Sequence, residues 1–155
     1  MKIRRASKAD IPTIQAIEIA CPTAAHWMEA DYNQALENVA ARRVVLVAES
    51  DGQVAGFAIA RVIDHEWELE NVAVSPERQR KGVGQALVRV LADIAQHSGA
   101  KAIYLEVRES NSTARTLYER CGFSQSGLRK GYYSSPDENA VLYRFLCIPE
   151  QPENR

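Results

Sequence analysis

The loop from Ser75 to Gly84 carries the residues of this chain that are best suited to bind an anion. It follows a hydrophobic strand and opens directly into a helix, whose first N–H groups and dipole favour negative charge. Glycine lets a diphosphate approach the main chain closely, and nearby cations supply positive charge. The pattern therefore predicts a diphosphate-binding loop. Its basic and glycine positions are Arg78, Arg80, Lys81, Gly82 and Gly84.

Two common nucleotide motifs fit this loop less well. A Walker loop requires Gly-Lys followed by Ser or Thr, whereas Gln85 follows Gly84. A dinucleotide fingerprint requires a third glycine, where this chain has Leu87, and a tight turn directly after the strand. A plain turn with a solvated basic face stays open as an alternative for this stretch alone.

One acidic residue, Glu106, interrupts the apolar run from Ala102 to Val107. A carboxylate at the end of a buried strand is unfavourable unless it is solvated, paired or used in chemistry. Burial would raise its pKa toward the range of a general base. Glu106 is therefore solvated, paired or a candidate proton acceptor.

The composition is that of one globular domain of 155 residues, with 46% hydrophobic and 25% charged residues. The net charge of −1 gives no general electrostatic reason to expect nucleic acid or a membrane as a partner. Three dispersed cysteines and three scattered histidines favour neither a disulfide framework nor a metal site, so we expect no metal. With no signal-like or membrane-spanning segment in the sequence, we expect a cytoplasmic protein. The expected domain covers residues 1–148, and 149–155 form a loose tail.

Hydrophobic periodicity predicts a mixed α/β fold. The turn Asp51-Gly52 joins two strands as a hairpin, so the sheet begins antiparallel. A packing helix from Val83, closed at Gly99, then connects two strands that run parallel. Strands are expected at Ile3–Ala6, Val44–Ala48, Val54–Ile63, Glu66–Val74 and Ala102–Val107, and further helices at Ile11–Cys21, Glu29–Ala40 and Asn111–Cys121.

The strand at residues 66–74 changes its alternation. Trp67 and Leu69 share one parity, whereas Val72 and Val74 share the other. All four can lie on one face only if one extra residue is inserted near 70–71. We therefore predict a β-bulge there, with a backbone N–H left unpaired. A strand buried on both faces is the alternative.

Two spaced motifs occupy the second half of the chain. They are Gln79-x-x-Gly82-x-Gly84 and Asn111-x-x-Ala114-x-x-x-Tyr118-x-x-x-Gly122-Phe123. Together they resemble the GNAT superfamily of acyl-CoA-dependent N-acetyltransferases. The shorter segments Asn71-Val72-Ala73-Val74, Leu105-Glu106-Val107-Arg108, Leu117-Tyr118-Glu119 and Arg129-x-x-Tyr132-Tyr133 resemble the RimI group, bacterial enzymes that acetylate the N-terminal amine of a ribosomal protein.

This resemblance spans about Arg4 to Leu146 and implies a single-domain GNAT fold. Its mostly antiparallel sheet would splay at the bulged strand, with the last two strands at Phe123–Tyr133 and Asn139–Cys147. Acetyl-CoA would be the acyl donor. The backbone of Val72, Ala73 and Val74, together with Asn111, would contact the pantetheine, and Arg80, Lys81, Gly82, Val83, Gly84 and Gln85 would surround the pyrophosphate.

The resemblance also implies roles in catalysis. Glu106 matches the family's base and Tyr118 its acid, and a free N–H near the bulge, that of Val74, suits the developing oxyanion. The implied acceptor is a protein N-terminus, with a ribosomal protein as the implied partner. Trp27, Tyr132 and Tyr133 are expected to wall its groove, and ordinary packing against the sheet edge is the alternative role for these aromatic side chains.

The acceptor end departs from the family pattern. His26-Trp27-Met28 replaces the usual Pro-Trp-Ser type segment, and Asn139 and Tyr143 replace an acidic residue and a methionine. Glu70, with Glu66 and Glu68, could attract a cationic acceptor or could simply be a solvated strand edge. Two alternatives to protein N-terminal acetylation therefore stay open: acetylation of a small amine or amino acid, and a CoA-binding module without turnover.

Overall fold

The computed structural model describes residues 1–21, 29–37 and 42–147. Strands β1 to β7 are Lys2–Arg5, Arg43–Ser50, Gln53–Ile63, Glu66–Val74, Ala102–Arg108, Ser124–Tyr133 and Glu138–Leu146. Helices α1 to α4 are Ile11–Ala20, Glu29–Glu37, Val83–His97 and Ser112–Arg120. The predicted elements are therefore present in this part of the chain. The predicted end of the second helix at 38–40, the segment with His26 and Trp27, and the tail at 149–155 lie outside the described residues.

The seven strands form one sheet in the order β1-β2-β3-β4-β5-β7-β6. Neighbouring strands are antiparallel except β4 and β5, which are parallel because α3 carries the chain back between them. This parallel contact is short: Glu66, Trp67 and Glu68 pair with Ala102, Ile103 and Tyr104. Beyond these pairs the two strands separate, as the expected splayed GNAT sheet requires.

The β-bulge predicted in β4 lies at Glu70. Ile59 of β3 pairs with Asn71, and the next residue, Ala60, pairs with Leu69, so Glu70 has no opposite residue. The bulge keeps Trp67, Leu69, Val72 and Val74 on one face, where all four pack into the same hydrophobic cluster. The parity argument is confirmed. The other face of the strand is buried only after the bulge, at Asn71 and Ala73, whereas Glu66 and Glu68 are exposed, so the strand is not buried on both faces along its length.

Helices cover both faces of the sheet. On one face α3 buries Leu87 and Leu91, and α4 buries Tyr118, in the cluster that includes Trp67. On the other face Ile14 of α1 and Tyr32 of α2 pack against β2 and β3. The Tyr32 hydroxyl donates a hydrogen bond to the buried Glu18 carboxylate, which ties α2 to α1. Packed helices on both faces of the sheet thus support the strands β4 and β5, between which the sheet opens.

None of the helices in the described ranges is long and apolar enough to cross a membrane. Cys21, Cys121 and Cys147 are free thiols. Within residues 1–21, 29–37 and 42–147, no group of three or more His, Cys, Asp or Glu side chains is arranged to hold a metal ion.

Candidate active site

A cleft of about 520 Å³ opens where β4 and β5 separate. Its walls come from β4, β5 and the β6–β7 hairpin, so residues distant in sequence meet there. The lining includes Glu68, Leu69, Glu70, Tyr104, Leu105, Glu106, Ser126, Tyr132, Tyr133, Leu142 and Tyr143. The predicted base and three of the predicted acceptor residues, Glu70, Tyr132 and Tyr133, therefore share one cavity.

The edge of β4 that faces the splay has unpaired backbone groups. The N–H of Ser75 donates to the carbonyl of Ala55 at 2.8 Å, which fixes the phase of the β3–β4 ladder. In an antiparallel ladder alternate residues point away from the partner strand, so the N–H groups of Val72 and Val74 point away from β3. Pairing with β5 ends at Glu68, and neither N–H has a hydrogen bond within the described residues. The bulged strand thus offers two free donors.

The loop after β4 is held against the end of that strand. The Gln79 side-chain amide donates to the Val74 carbonyl at 3.0 Å, and the Cys21 thiol donates to the same oxygen at 3.2 Å. Burial raises the pKa of this thiol, so it stays a neutral donor. In the sequence Gln79 is one position of a longer motif, and nothing there indicates this anchoring contact.

The start of α3 presents a run of unpaired N–H groups. Within the described residues the first helical hydrogen bond runs from Ala86 to the Gly82 carbonyl, and the N–H groups from Gly82 to Gln85 have no partner. Gly82 caps the helix with φ of +82°, and Arg80 has φ of +63°. These conformations turn the backbone donors outward together, which suits a diphosphate.

The two glycines of the loop have different roles. A Cβ on Gly82 would meet nothing within 4 Å, so this position needs glycine for its backbone angle. A Cβ on Gly84 would lie 3.4 Å from Leu117 of α4 and 3.6 Å from Val74. Gly84 therefore faces the packed interior, whereas from the sequence we expected both glycines to make room for the ligand.

Glu106 lines the cleft, but it is not buried. Its side chain keeps 31% exposure, and its Oε1 lies 3.4 Å from Nη1 of Arg129 on β6. The expected burial is therefore wrong: Leu105 and Val107 point into the core, and alternation directs Glu106 to the opposite, open face. Solvation and a counter-ion are what make the carboxylate acceptable here.

Tyr118 is buried by aromatic neighbours. Its ring centroid lies 5.7 Å from that of Phe123 and 6.4 Å from that of Tyr143. Burial raises the pKa of the phenol, and the nearby Cys121 and Tyr133 add to this effect. The Tyr118 hydroxyl has no hydrogen bond among the described residues. Every fully buried side-chain oxygen in those residues does have a hydrogen-bond partner, so the Tyr118 oxygen is not fully buried.

Glu70, predicted to contact the acceptor, is held by Arg43 of β2. Two contacts join them, from Nε to Oε1 at 2.8 Å and from Nη2 to Oε2 at 3.2 Å. This pairing raises the pKa of Arg43, chiefly through the hydrogen bond. The carboxylate lines the cleft, but both of its oxygens already accept hydrogen bonds, so it is a weak candidate for binding the acceptor cation directly.

The β6–β7 hairpin places Tyr132 and Tyr133 at the cleft. Their rings meet edge to face, with centroids 5.0 Å apart, and Arg108 stacks over Tyr133 at 4.4 Å. The Asn139 side chain accepts a hydrogen bond from the Gly131 N–H at 3.0 Å and holds the irregular part of this hairpin. Asn139, which departs from the family pattern, therefore has a structural role in this hairpin.

Asn111 and Tyr143 act through α4. The Asn111 side chain caps the helix by accepting from the Ala114 N–H at 3.2 Å, which confirms the predicted cap. The fully buried Tyr143 donates to Glu119 at 2.7 Å and accepts from Arg115 at 3.0 Å. Tyr143 thereby fixes α4, and with it Tyr118, against β7, a role that its position in the sequence does not reveal.

Comparison with known proteins places this geometry among characterised folds. Residues 11–123 match the model of the "Acetyltransferase (GNAT) family". A ribosomal protein bS18-alanine N-acetyltransferase from Salmonella typhimurium is 35% identical over 138 residues, 88% of this chain and 90% of that protein. The Escherichia coli K12 protein of that name is 42% identical over 94 residues, 59% of this chain and 64% of that protein.

The crystal structure of the ribosomal-protein-S18-alanine N-acetyltransferase from Escherichia coli superimposes with a TM-score of 0.84. It is 30% identical in sequence, and the match covers 99% of both chains.

Proposed function

Because the chain belongs to the acetyltransferase (GNAT) family, we propose that it moves the acetyl group of acetyl-CoA to the N-terminal α-amine of a protein. The observation that carries this proposal is the cleft between β4 and β5. Glu106 and the paired tyrosines of β6 line this cleft, and the residues of β4 that line it, Glu68 to Glu70, directly precede the stretch with free backbone donors at Val72 and Val74. Relatives named for the acetylation of ribosomal protein bS18 support a ribosomal protein as the acceptor, and hence a cytoplasmic site of action.

The residues present fit acetyl-CoA. The unpaired N–H groups of Gly82, Val83, Gly84 and Gln85 would hold its diphosphate, with Arg80 and Lys81 adding charge. The open backbone at Val72, Ala73 and Val74 would hold the extended pantetheine, and Asn111 lies at the start of the neighbouring helix α4. Bound acetyl-CoA supplies an activated acyl thioester.

Three groups of the protein would serve the transfer. Glu106 would take the proton that the attacking ammonium must lose. The Val74 N–H would donate to the negative charge that develops on the thioester oxygen. Tyr118 would give its proton to the departing thiolate, and because burial keeps its pKa raised, the phenol is protonated at neutral pH. The N–C bond forms, the C–S bond breaks, and no bond to the enzyme is required.

An α-amine fits this machinery better than a lysine side chain. A free α-amine has a pKa of about 7.7–8.0, whereas a lysine amine has a pKa near 10.4 and is almost fully charged at neutral pH. A single solvated carboxylate deprotonates the former more easily. Tyr132 and Tyr133, and Trp27 outside the described residues, would then wall a groove for the first residues of an extended N-terminus.

The test compares acceptors at fixed acetyl-CoA. We expect the highest kcat/KM for a peptide that starts with alanine, against the same peptide with a blocked N-terminus and one free lysine. Polyamines and amino acids complete the panel. If the blocked peptide or a small amine is better by about tenfold, which corresponds to about 1.4 kcal/mol, the N-terminal assignment is refuted and the acetyltransferase family alone stands. Binding of acetyl-CoA without turnover of any acceptor would instead favour the CoA-binding module.

A further inference from the structure

Two carboxylates that line the cleft, Glu70 and Glu106, each form an ion pair with an arginine, and the two pairs differ in geometry and exposure. Glu70 and Arg43 meet through two hydrogen bonds, and their side chains are only 16% and 21% exposed. Glu106 and Arg129 meet through one contact of 3.4 Å, and their side chains are 31% and 57% exposed. The first pair has the geometry of a permanent structural contact. The second has the geometry of an exposed pair that contributes little and separates easily.

Arg129 lies between the predicted base and an aromatic wall of the cleft. Its guanidinium is over the ring of Tyr132, 5.1 Å from the centroid. Tyr132 is 48% exposed, and the nearby carboxylate of Glu106 raises the pKa of its hydroxyl. Within the described residues the guanidinium forms no hydrogen bond, and its ion pair is with Glu106 alone. Arg129 therefore places a cation where an acceptor ammonium has to bind in order to reach Glu106.

We propose that Arg129 is a removable counter-ion, which occupies the cation position beside Glu106 until the ammonium of the acceptor displaces it. The inference rests on the proposed function, because it requires that Glu106 receive the amine of the acceptor. One cation replaces another, so the carboxylate is never left without a partner as the groove fills. Arg129 competes with the acceptor and selects for one whose amine binds while still protonated.

The role predicts an unusual direction for a substitution in an active-site cleft. If Arg129 bound the acceptor, its loss would raise the KM for the acceptor, and if it took part in the transfer, its loss would lower kcat. A removable counter-ion does neither. Arg129→Gln should lower the KM for an Ala-starting peptide about two- to fivefold and leave kcat nearly unchanged, because an exposed ion pair no longer has to be broken.

Two further variants isolate the local contact. Lys130→Gln removes the same charge from the next residue of β6, which is exposed and forms no ion pair within the described residues, and should leave KM unchanged. Arg129→Lys retains the cation and should restore the wild-type KM, because the observed contact is single and needs no guanidinium fork. The fall in KM for Arg129→Gln should shrink at high ionic strength, where exposed pairs are screened.

The assay is steady-state acetylation of the peptide at saturating acetyl-CoA and low salt. An unchanged or higher KM in Arg129→Gln, with an active wild type, overturns the counter-ion role and leaves the proposed function standing. An equal fall in KM in Lys130→Gln also overturns it, because general charge would then explain the effect. A wild type that acetylates no peptide overturns the proposed function and the counter-ion role with it.

Discussion

Replacing Glu70 with glutamine should damage stability far more than chemistry. Glu70 is the extra residue of the β-bulge, and its carboxylate reaches across β3 to Arg43 of β2. Glutamine has nearly the same shape but no charge. One of its two terminal groups is an NH₂, which faces the guanidinium as a second donor. One contact is therefore lost, and the other becomes a hydrogen bond from the charged guanidinium to a neutral amide oxygen.

The magnitude follows from the two contacts of 2.8 and 3.2 Å. Hydrogen bonds to charged groups contribute about 1.5–3 kcal/mol each, and the substitution removes one of them and weakens the other. The side chains are 16% and 21% exposed, so solvent screens part of this energy. We expect Glu70→Gln to lower the free energy of unfolding by about 1–2 kcal/mol, which for a chain of this size lowers Tm by roughly 2–8 °C.

Urea unfolding of Glu70→Gln, read beside kcat on the same preparation, is the measurement. The matched control is Glu68→Gln on the same strand. The Glu68 carboxylate is exposed and forms no ion pair within the described part of the chain, so this variant should keep its free energy of unfolding within about 0.5 kcal/mol of wild type. If Glu70→Gln is as stable as wild type but its kcat falls 10²-fold or more, Glu70 is the base, and the structural role that we assign to Glu70 is refuted.

Three further outcomes follow from the site and the fold. Glu106→Gln should lower kcat about 10²–10⁴-fold with acetyl-CoA affinity nearly intact, and Tyr118→Phe should keep a measurable rate because water can protonate a thiolate; full activity of the glutamine variant at every pH would move the base elsewhere. In calorimetry, Lys81→Glu, which reverses an exposed charge of the diphosphate loop, should weaken acetyl-CoA binding about tenfold or more, whereas the same reversal at the exposed Lys130 of β6 should not, and equal affinities would contradict the diphosphate assignment. Arg4 lowers the pKa of Asp10 below its unfolded value of about 3.9, so the stabilisation is present above about pH 4 and is lost as pH falls through the folded pKa. Asp10→Asn should therefore be less stable than wild type at pH 7, and the two free energies of unfolding should converge as the pH falls through the folded pKa of Asp10; a constant difference would argue against the ion pair.

Local patterns in the sequence were enough to predict the elements and the bulge. The parity change between Leu69 and Val72 requires one extra residue between them if the apolar side chains are to stay on one face. In the structure this extra residue is Glu70. The loop that opens α3 is equally local, because Gly82 and the helix start are adjacent in the chain. The spacing of apolar residues, every two residues in a strand and every 3.6 in a helix, predicts such local features without any knowledge of the fold.

The partners of the cleft carboxylates could not be predicted in this way. Arg43 is 27 residues from Glu70, and Arg129 lies on a strand whose neighbour is set by the β5-β7-β6 order. The exposure of Glu106 depends on the same order, since an apolar run does not say which face of β5 opens onto a cleft. Gly56 gives a further example: a Cβ there would lie 2.8 Å from the Ala73 carbonyl, a contact that exists only once β3 and β4 are paired.

The short parallel contact between β4 and β5 makes the sheet mechanically uneven. Long antiparallel ladders bind β1 to β4 into one ribbon and β5 to β7 into another, and three residue pairs join the two ribbons. Within the sheet, tension applied between Lys2 and Leu146 passes through that junction, because β1 and β7 lie on opposite sides of it. The junction should therefore rupture before either ribbon unravels. A ligand bound between the open edges of β4 and β5 would connect the two ribbons and raise the force needed to separate them.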